Sequence, residues 1–512
     1  MARTTRSTGT AVTRRGTRPR PRPGPGGGPL ATPQSGVLIV NMIPVALCFE
    51  TNNDSEPNLA VNPANPLQMA ASAFTPASSG AAPIFVSNDG GQTWLLNAIV
   101  PSDQMTADIT LRFADRSNML YAGIIPQPIQ SDAAGNPITF LNILRTNNFL
   151  GPAKMQVLVN RTGVDQPYIQ AASVGAGATA SRDLVMVGSN DFNDPAGRTA
   201  VIDVSPDAAA GNAAFRTVRV DQRTPPPDGA DAPSIRPAIH QDGTVYGAFL
   251  ALVGGTNLSN LRRDVVVVRD DDFASGTASF TALTDPSDNR PGRRVAQNRL
   301  VPFLPPPGEP GPIGQERIGS HITIAVDPRT GQSSTVCLAW ADRVGTTDYT
   351  IHVRRSIDRG VTWSPNDLLT ITNAVNPALA INADGKVGLV YQQLTGPLTP
   401  GHVTVANHWA THFRQSTDGT SWDDMVLANV PANQPPARGL PYLGDYLHLL
   451  AVGRDFYGVF STANTPDLAN FPSGVVFQRK HDFNTRTLFD VDGVTPVGIS
   501  IDPFFFKVSA QP

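Results

Sequence analysis

Ten polar residues stand where short apolar segments of this chain begin: Asp54, Glu56, Asp108, Asp165, Gln166, Asp231, His321, Asn376, Asp445 and Tyr446. Such a set offers carboxylate and amide oxygens, an imidazole and a phenol, which suit a cation, sugar hydroxyls or a basic peptide. Two carboxylates at a suitable separation also hydrolyse glycosidic bonds, and Glu56, Asp108 and Asp445 are the candidates for that chemistry. The plainer alternative is that these residues cap strand starts and hold channel water. His408 and His412 have the spacing of zinc ligands on a helix. Their segment reads as a strand, where about 3.3 Å per residue would set them about 13 Å apart, so no metal centre is assigned there. There is no P-loop, dinucleotide fingerprint or hydrolase nucleophile motif. No cofactor is called for, although a calcium ion would suit the acidic ring.

The elements that must position these residues repeat along the chain. A short apolar segment recurs, usually opening polar-Pro-x-Leu/Ile, as in Glu56-Pro57-Asn58-Leu59, Gln166-Pro167-Tyr168-Ile169 and Asn376-Pro377-Ala378-Leu379. Looser copies begin at Asp108, Ala232, His321 and Asp445. The intervals, roughly 50 to 90 residues, each leave room for four strands of ordinary length. A second apolar strand follows in most units, in places after an Asp-Gly turn (242–243, 384–385). Helical periodicity is missing throughout. Meander units repeated in this way predict an all-β fold, a β-propeller of four-stranded antiparallel blades, with seven blades preferred and six the alternative. The apolar strand near 37–43 would pair with the final unit and close the ring. The Pro-rich stretch 302–317 reads as an inserted loop that could bring Glu309, Glu316 and Arg317 over the ring.

Two segments match Ser-x-Asp-x-Gly-x-Thr-Trp without a gap: Ser87, Asp89, Gly91, Thr93, Trp94 and Ser356, Asp358, Gly360, Thr362, Trp363. A third copy, with Ser416, Asp418 and Trp422, is one residue short. The pattern is that of a turn whose Ser and Asp side chains bind backbone N–H groups, with Gly supplying unusual angles and Trp packing on the sheet. It resembles the Asp-box of sialidase-like, BNR-repeat propellers. The likeness extends over about residues 50–485 to bacterial proteins of exo-sialidase-like type, through EPNLAVNPANP, DQPYIQA, NPALAINADGKVGLVY and LPYLGDYLHLLAV. It implies a propeller scaffold and a secreted or surface location. Sialidases carry an arginine in a Phe/Tyr-Arg-Ile-Pro motif on the first strand, and aligning its proline with Pro57 puts Ser55 in that place. In that family this arginine and two others clamp the substrate carboxylate, so the resemblance implies that the best-placed member of the clamp is missing here; Arg112, Arg236 and Arg317 lie near other inner strands without the family spacing. In a four-stranded blade the Asp-boxes, between third and fourth strands, face away from the starts of the first strands, so the ten polar residues are expected to converge on one funnel.

Composition agrees with short strands and many turns. Gly and Pro number 45 and 47 of 512 residues, well above average usage. Glu occurs only at 50, 56, 309 and 316, and Lys only at 154, 386, 480 and 507. Residues 1–35 carry seven Arg and no acid, leaving 32 basic and 42 acidic residues, a net of −10, for the rest. The arm reads as disordered, with nucleic acid or another anionic surface as a partner it could reach. Residues 36–512, acidic on balance, read as one propeller domain unsuited to nucleic acid. No stretch is apolar enough for a membrane span and no secretory signal is evident. Cys48 and Cys337 allow at most one long-range disulfide. The leading expectation is non-catalytic recognition of a glycan or protein through an acidic funnel; the alternatives are a glycoside hydrolase and a structural part of a larger assembly.

Overall fold

The computed structural model describes residues 36–74, 84–102, 106–126, 130–131, 137–138, 140–175, 182–194, 197–223, 234–255, 257–303, 321–344, 348–397, 404–436 and 442–510. Seven sheets carry the repeat among these residues. The first holds Asn58–Val61, Met69–Ser72, Ile84–Ser87 and Leu95–Asn97. The second to sixth open with Thr106–Phe113, Val164–Val174, Ile235–Ile239, Ile322–Val326 and Ala374–Ile381, and each continues with three antiparallel strands in chain order. In the seventh, His448–Val452, Asp455–Ala463 and Ile501–Val508 are followed by Val37–Asn41, which pairs antiparallel with Ile501–Val508 from Val37 opposite Val508 to Asn41 opposite Phe504. Val476–Phe477 adds a short parallel edge to it.

The first strands of the seven sheets touch in chain order, and the seventh touches the first. The fold is a β-propeller. Side chains stitch neighbouring inner strands: the Leu111 amide donates to Asn58 Oδ1 (2.9 Å), that of Ile169 to Thr110 Oγ1 (3.1 Å) and that of Leu379 to Thr323 Oγ1 (3.2 Å). The second strands are apolar on both faces because they lie between neighbouring sheets: Tyr246, Ala248, Phe249 and Leu250 are all fully buried. Phe413, Phe456, Phe460, Phe504 and Phe506 fill the space between the sixth and seventh sheets with ring centroids 5.3–6.0 Å apart. Among the described residues there is no α-helix, only 3-10 turns at Val45–Leu47 and Leu468–Asn470.

The three Ser-x-Asp turns follow the third strands of the first, fifth and sixth sheets and fold alike. Ser87 Oγ donates to Asp89 (2.9 Å) and accepts from the Gly91 amide (3.0 Å), while Asp89 accepts from the Thr93 amide and hydroxyl (3.0 and 2.6 Å). The Trp94 indole closes the loop on Gly91 O (3.0 Å). Ser356, Asp358, Gly360, Thr362 and Trp363 repeat every one of these bonds. The shortened copy keeps the Ser416–Asp418 and Ser416–Gly419 contacts and the Trp422 bond to Gly419 O.

Candidate functional site

A backbone irregularity recurs where the inner strands begin. Pairing between first and second strands slips between Thr106 and Ile109, between Asp165 and Tyr168, and between Val375 and Ala378. Bulges of this kind re-aim a side chain. Glu56, Gln166 and Asn376 each take a left-handed conformation, with φ of 56°, 48° and 56°, directly before a proline. A non-glycine residue there pays about 1–2 kcal/mol, so the surrounding contacts must hold it in place.

Those contacts join side chains from different sheets. Gln166 Nε2 donates to Asp445 Oδ2 (3.4 Å), and the Asp445 amide donates to Glu56 Oε1 (3.3 Å). The Tyr446 hydroxyl donates to Asp108 Oδ1 (3.1 Å). The Asn376 amide meets His321 Nδ1 (3.4 Å), while its Nδ2 donates to Gln392 Oε1 (2.9 Å) and Gly444 O (3.3 Å). The Arg236 guanidinium lies 4.8 Å from the Tyr168 ring centre and 5.8 Å from that of Tyr446, within cation–π range. Tyr168, Arg236, His321, Asn376, Asp445 and Tyr446 line one narrow cleft, with a free volume of only about 10 Å³ as the side chains stand. A separate cavity of about 230 Å³, bordered by Arg112, Tyr168 and the far ends of the inner strands, lies on the other side of Tyr168.

Burial dominates the electrostatics. It pushes the Tyr446 phenol well above its ordinary value, helped by the charges of Asp108 and Glu56, so the hydroxyl stays protonated and donates. Burial also carries His448, beneath Tyr168 with ring centres 5.8 Å apart, down to about 3, with the cations of Arg112 and Arg236 adding to it. His448 is therefore neutral. Arg236 is pulled below its usual value by burial, against the nearby tyrosines, Asp108 and Asp445.

Of the ten residues expected at the funnel, Glu56, Asp108, Gln166, His321, Asn376, Asp445 and Tyr446 are linked by the contacts above. Asp165 is half-buried next to them, its Oδ1 accepting from the Gln166 amide (2.9 Å). Asp231 lies outside the described residues, as do Glu309, Glu316 and Arg317. Asp54 sits apart: it is fully buried, its amide donates to Ile501 O (2.9 Å), and its carboxylate joins those of Glu50 and Asp502. Burial and the charge of Asp502 push Glu50 up to about 8. Ser55, in the place of the sialidase arginine, is buried in the backbone network, its carbonyl accepting from the Phe74 amide (3.0 Å). His408 and His412 lie on one strand, and His412 Nδ1 is engaged by Asp424 at 3.0 Å. The sequence pattern does not single out Arg236, which lies on the strand Ile235–Ile239 and lines the cleft.

No protein-family model and no curated protein matches the chain. Among solved structures it is similar to an alpha-L-arabinofuranosidase of Fusarium graminearum in complex with arabinobiose, at 12% identity over 70% of this chain and 92% of that one, with a TM-score of 0.40. It is similar to an ulvan lyase (11% identity, 80% of this chain and 92% of that one, TM-score 0.45). It is also similar to a Trypanosoma rangeli sialidase in complex with the inhibitor DANA (12% identity, 72% and 57%, TM-score 0.33).

Proposed function

We propose that residues 36–512 act as one propeller domain whose cleft recognises a glycan. The observation that carries this reading is the layer of Tyr168, Arg236 and Tyr446, flanked by Asp108, Asp445 and Gln166. Aromatic faces stack on the apolar side of a sugar ring, and carboxylate, amide and guanidinium groups fix its hydroxyls. A second reading, hydrolysis, is favoured by one contact. Burial keeps the resting Tyr446 phenol protonated, but its hydrogen bond places Asp108 where it would take the proton as general base if the hydroxyl attacked.

The test is saturable binding on a glycan array, followed by mass analysis of each bound glycan after incubation. Tyr168→Ala and Asp108→Asn should each weaken binding about tenfold, equivalent to about 1.4 kcal/mol, with near-UV circular dichroism unchanged. Product formation that disappears in Asp108→Asn and Tyr446→Phe would move the assignment to the hydrolase. Neither binding nor product across the array would remove both readings.

A further inference from the structure

The segment between the strand Val37–Asn41 and the first sheet crosses beneath the C-terminal strand Ile501–Val508. Asn53 bridges Ile501, and the Asp54 amide donates to Ile501 O. This crossing brings Glu50, Asp54 and Asp502 together, with one carboxylate oxygen from each lying within 4.8 Å of the others. All three are buried, at 6%, 0% and 0% exposure. Arg479, also fully buried, pairs with Asp502 and donates to Cys48 O (3.2 Å).

Hydrogen bonds divide the cluster. Asp502 is well supplied, accepting from Asn41 Nδ2 (2.7 Å), Asn464 Nδ2 (2.8 Å) and Ser500 Oγ (2.9 Å) besides Arg479. Glu50 is not: Oε2 takes the Asn52 amide (2.8 Å), but Oε1 is buried and has no hydrogen-bond partner among the described residues. The Asn53 side-chain carbonyl, beside Ile501, is a second buried acceptor without one. A buried acceptor left without a donor costs about 1–3 kcal/mol, more if charged. We propose that Glu50, Asp54 and Asp502 hold a hard divalent cation of the calcium class, fastening the N-terminal segment to the C-terminal strand. Its donors are all oxygens, the set calcium prefers and soft metals do not.

The experiment uses the full chain, stripped with EDTA and desalted, then given calcium at about 1 mM, the range of the weakest protein calcium sites. Equilibrium dialysis against that calcium concentration should show about one calcium per chain in excess of the dialysate, measured by elemental mass spectrometry. The melting temperature should rise by about 2 °C or more over an ionic-strength-matched sodium control. Glu50→Gln should lose both effects, and Asp54→Asn serves the same purpose should Glu50→Gln fold poorly. Wild-type protein that retains no calcium and gains no stability would overturn the proposal. So would variants that keep the full stoichiometry, because the ion would then be bound elsewhere. A rise with magnesium alone would overturn the calcium assignment.

Discussion

Replacing Gly91 with alanine tests how the first Ser-x-Asp turn docks on the last sheet. Gly91 has φ of +84°, and a Cβ built on it would lie 2.3, 2.7 and 2.8 Å from three ring atoms of Phe505. That ring is fully buried and packs on Trp94 with centroids 5.4 Å apart, so it has little room to withdraw. Two costs combine. The left-handed backbone costs an alanine about 1–2 kcal/mol, and forcing a methyl group into a filled core costs about 1–3 kcal/mol. Gly91→Ala should therefore lose about 2–5 kcal/mol of unfolding free energy. Gly331 separates the two costs, since its φ is +76° but a Cβ there would meet nothing within 4 Å. Gly331→Ala should lose only the backbone part, about 1–2 kcal/mol. Equilibrium urea unfolding compares the variants, and Phe505→Leu added to Gly91→Ala should recover part of the loss. Equal destabilisation at positions 91 and 331 would refute the close approach to Phe505.

The remaining predictions concern protons and thiols. His352 lies between Asp342 (3.1 Å) and Asp367 (2.7 Å) and stacks on Trp340. Burial alone would lower its pKa, but the two carboxylates outweigh it and hold the imidazole above its usual 6.5. A raised folded value means the contribution is complete below pH 6.5 and is lost as pH rises through the folded value. The melting temperature should fall as pH rises above 6.5, and His352→Gln should flatten that fall; an unchanged slope would count against the ion-pair geometry. On the acid side burial opposes, but hydrogen bonds from His352 and Arg354 hold Asp367 down at about 2, so its contribution disappears as pH drops from 3.8 towards 2. Cys48 and Cys337 are both buried and unpaired. Burial pushes Cys337 up to about 12 and raises Cys48, which also donates to Asp490, so native protein should be silent to a thiol reagent and react at both positions once unfolded. Reducing agent should leave the melting temperature unchanged.

The sheet pattern was legible because its signals are local. Ser87 to Trp94 and Ser356 to Trp363 each state a whole turn in eight letters, and the opening polar-Pro-x-Leu marks the inner strands at Glu56, Gln166 and Asn376. Local signals fail where register is set by tertiary contacts. The fourth inner strand runs Ile235–Ile239, beyond most of the Ala232-Pro233-Ser234-Ile235 segment that fits the pattern, and Arg236 on it packs against Tyr168 from the neighbouring sheet. Asp54 and Glu56 are two residues apart and looked equivalent. The bridge from Asn53 to Ile501 draws Asp54 under the C-terminal strand, while the positive φ of Glu56 turns that residue towards Asp445. The partnership of Glu50 with Asp502 spans almost the whole chain and leaves no trace in spacing.

The pairing of Val37–Asn41 with Ile501–Val508 has a consequence on the ribosome. Asn41 and its partner Asp502 are separated by 461 positions, which at about 5–20 residues per second takes about 20 to 90 s to synthesise. Through that interval the segment Val-Leu-Ile-Val-Asn has emerged, but the strand it pairs with has not yet been made. An apolar strand with an open edge is a template for the wrong partner. The nascent chain thus has a long window for chaperone capture or misassembly, and it closes only when the last phenylalanine-rich strand is released.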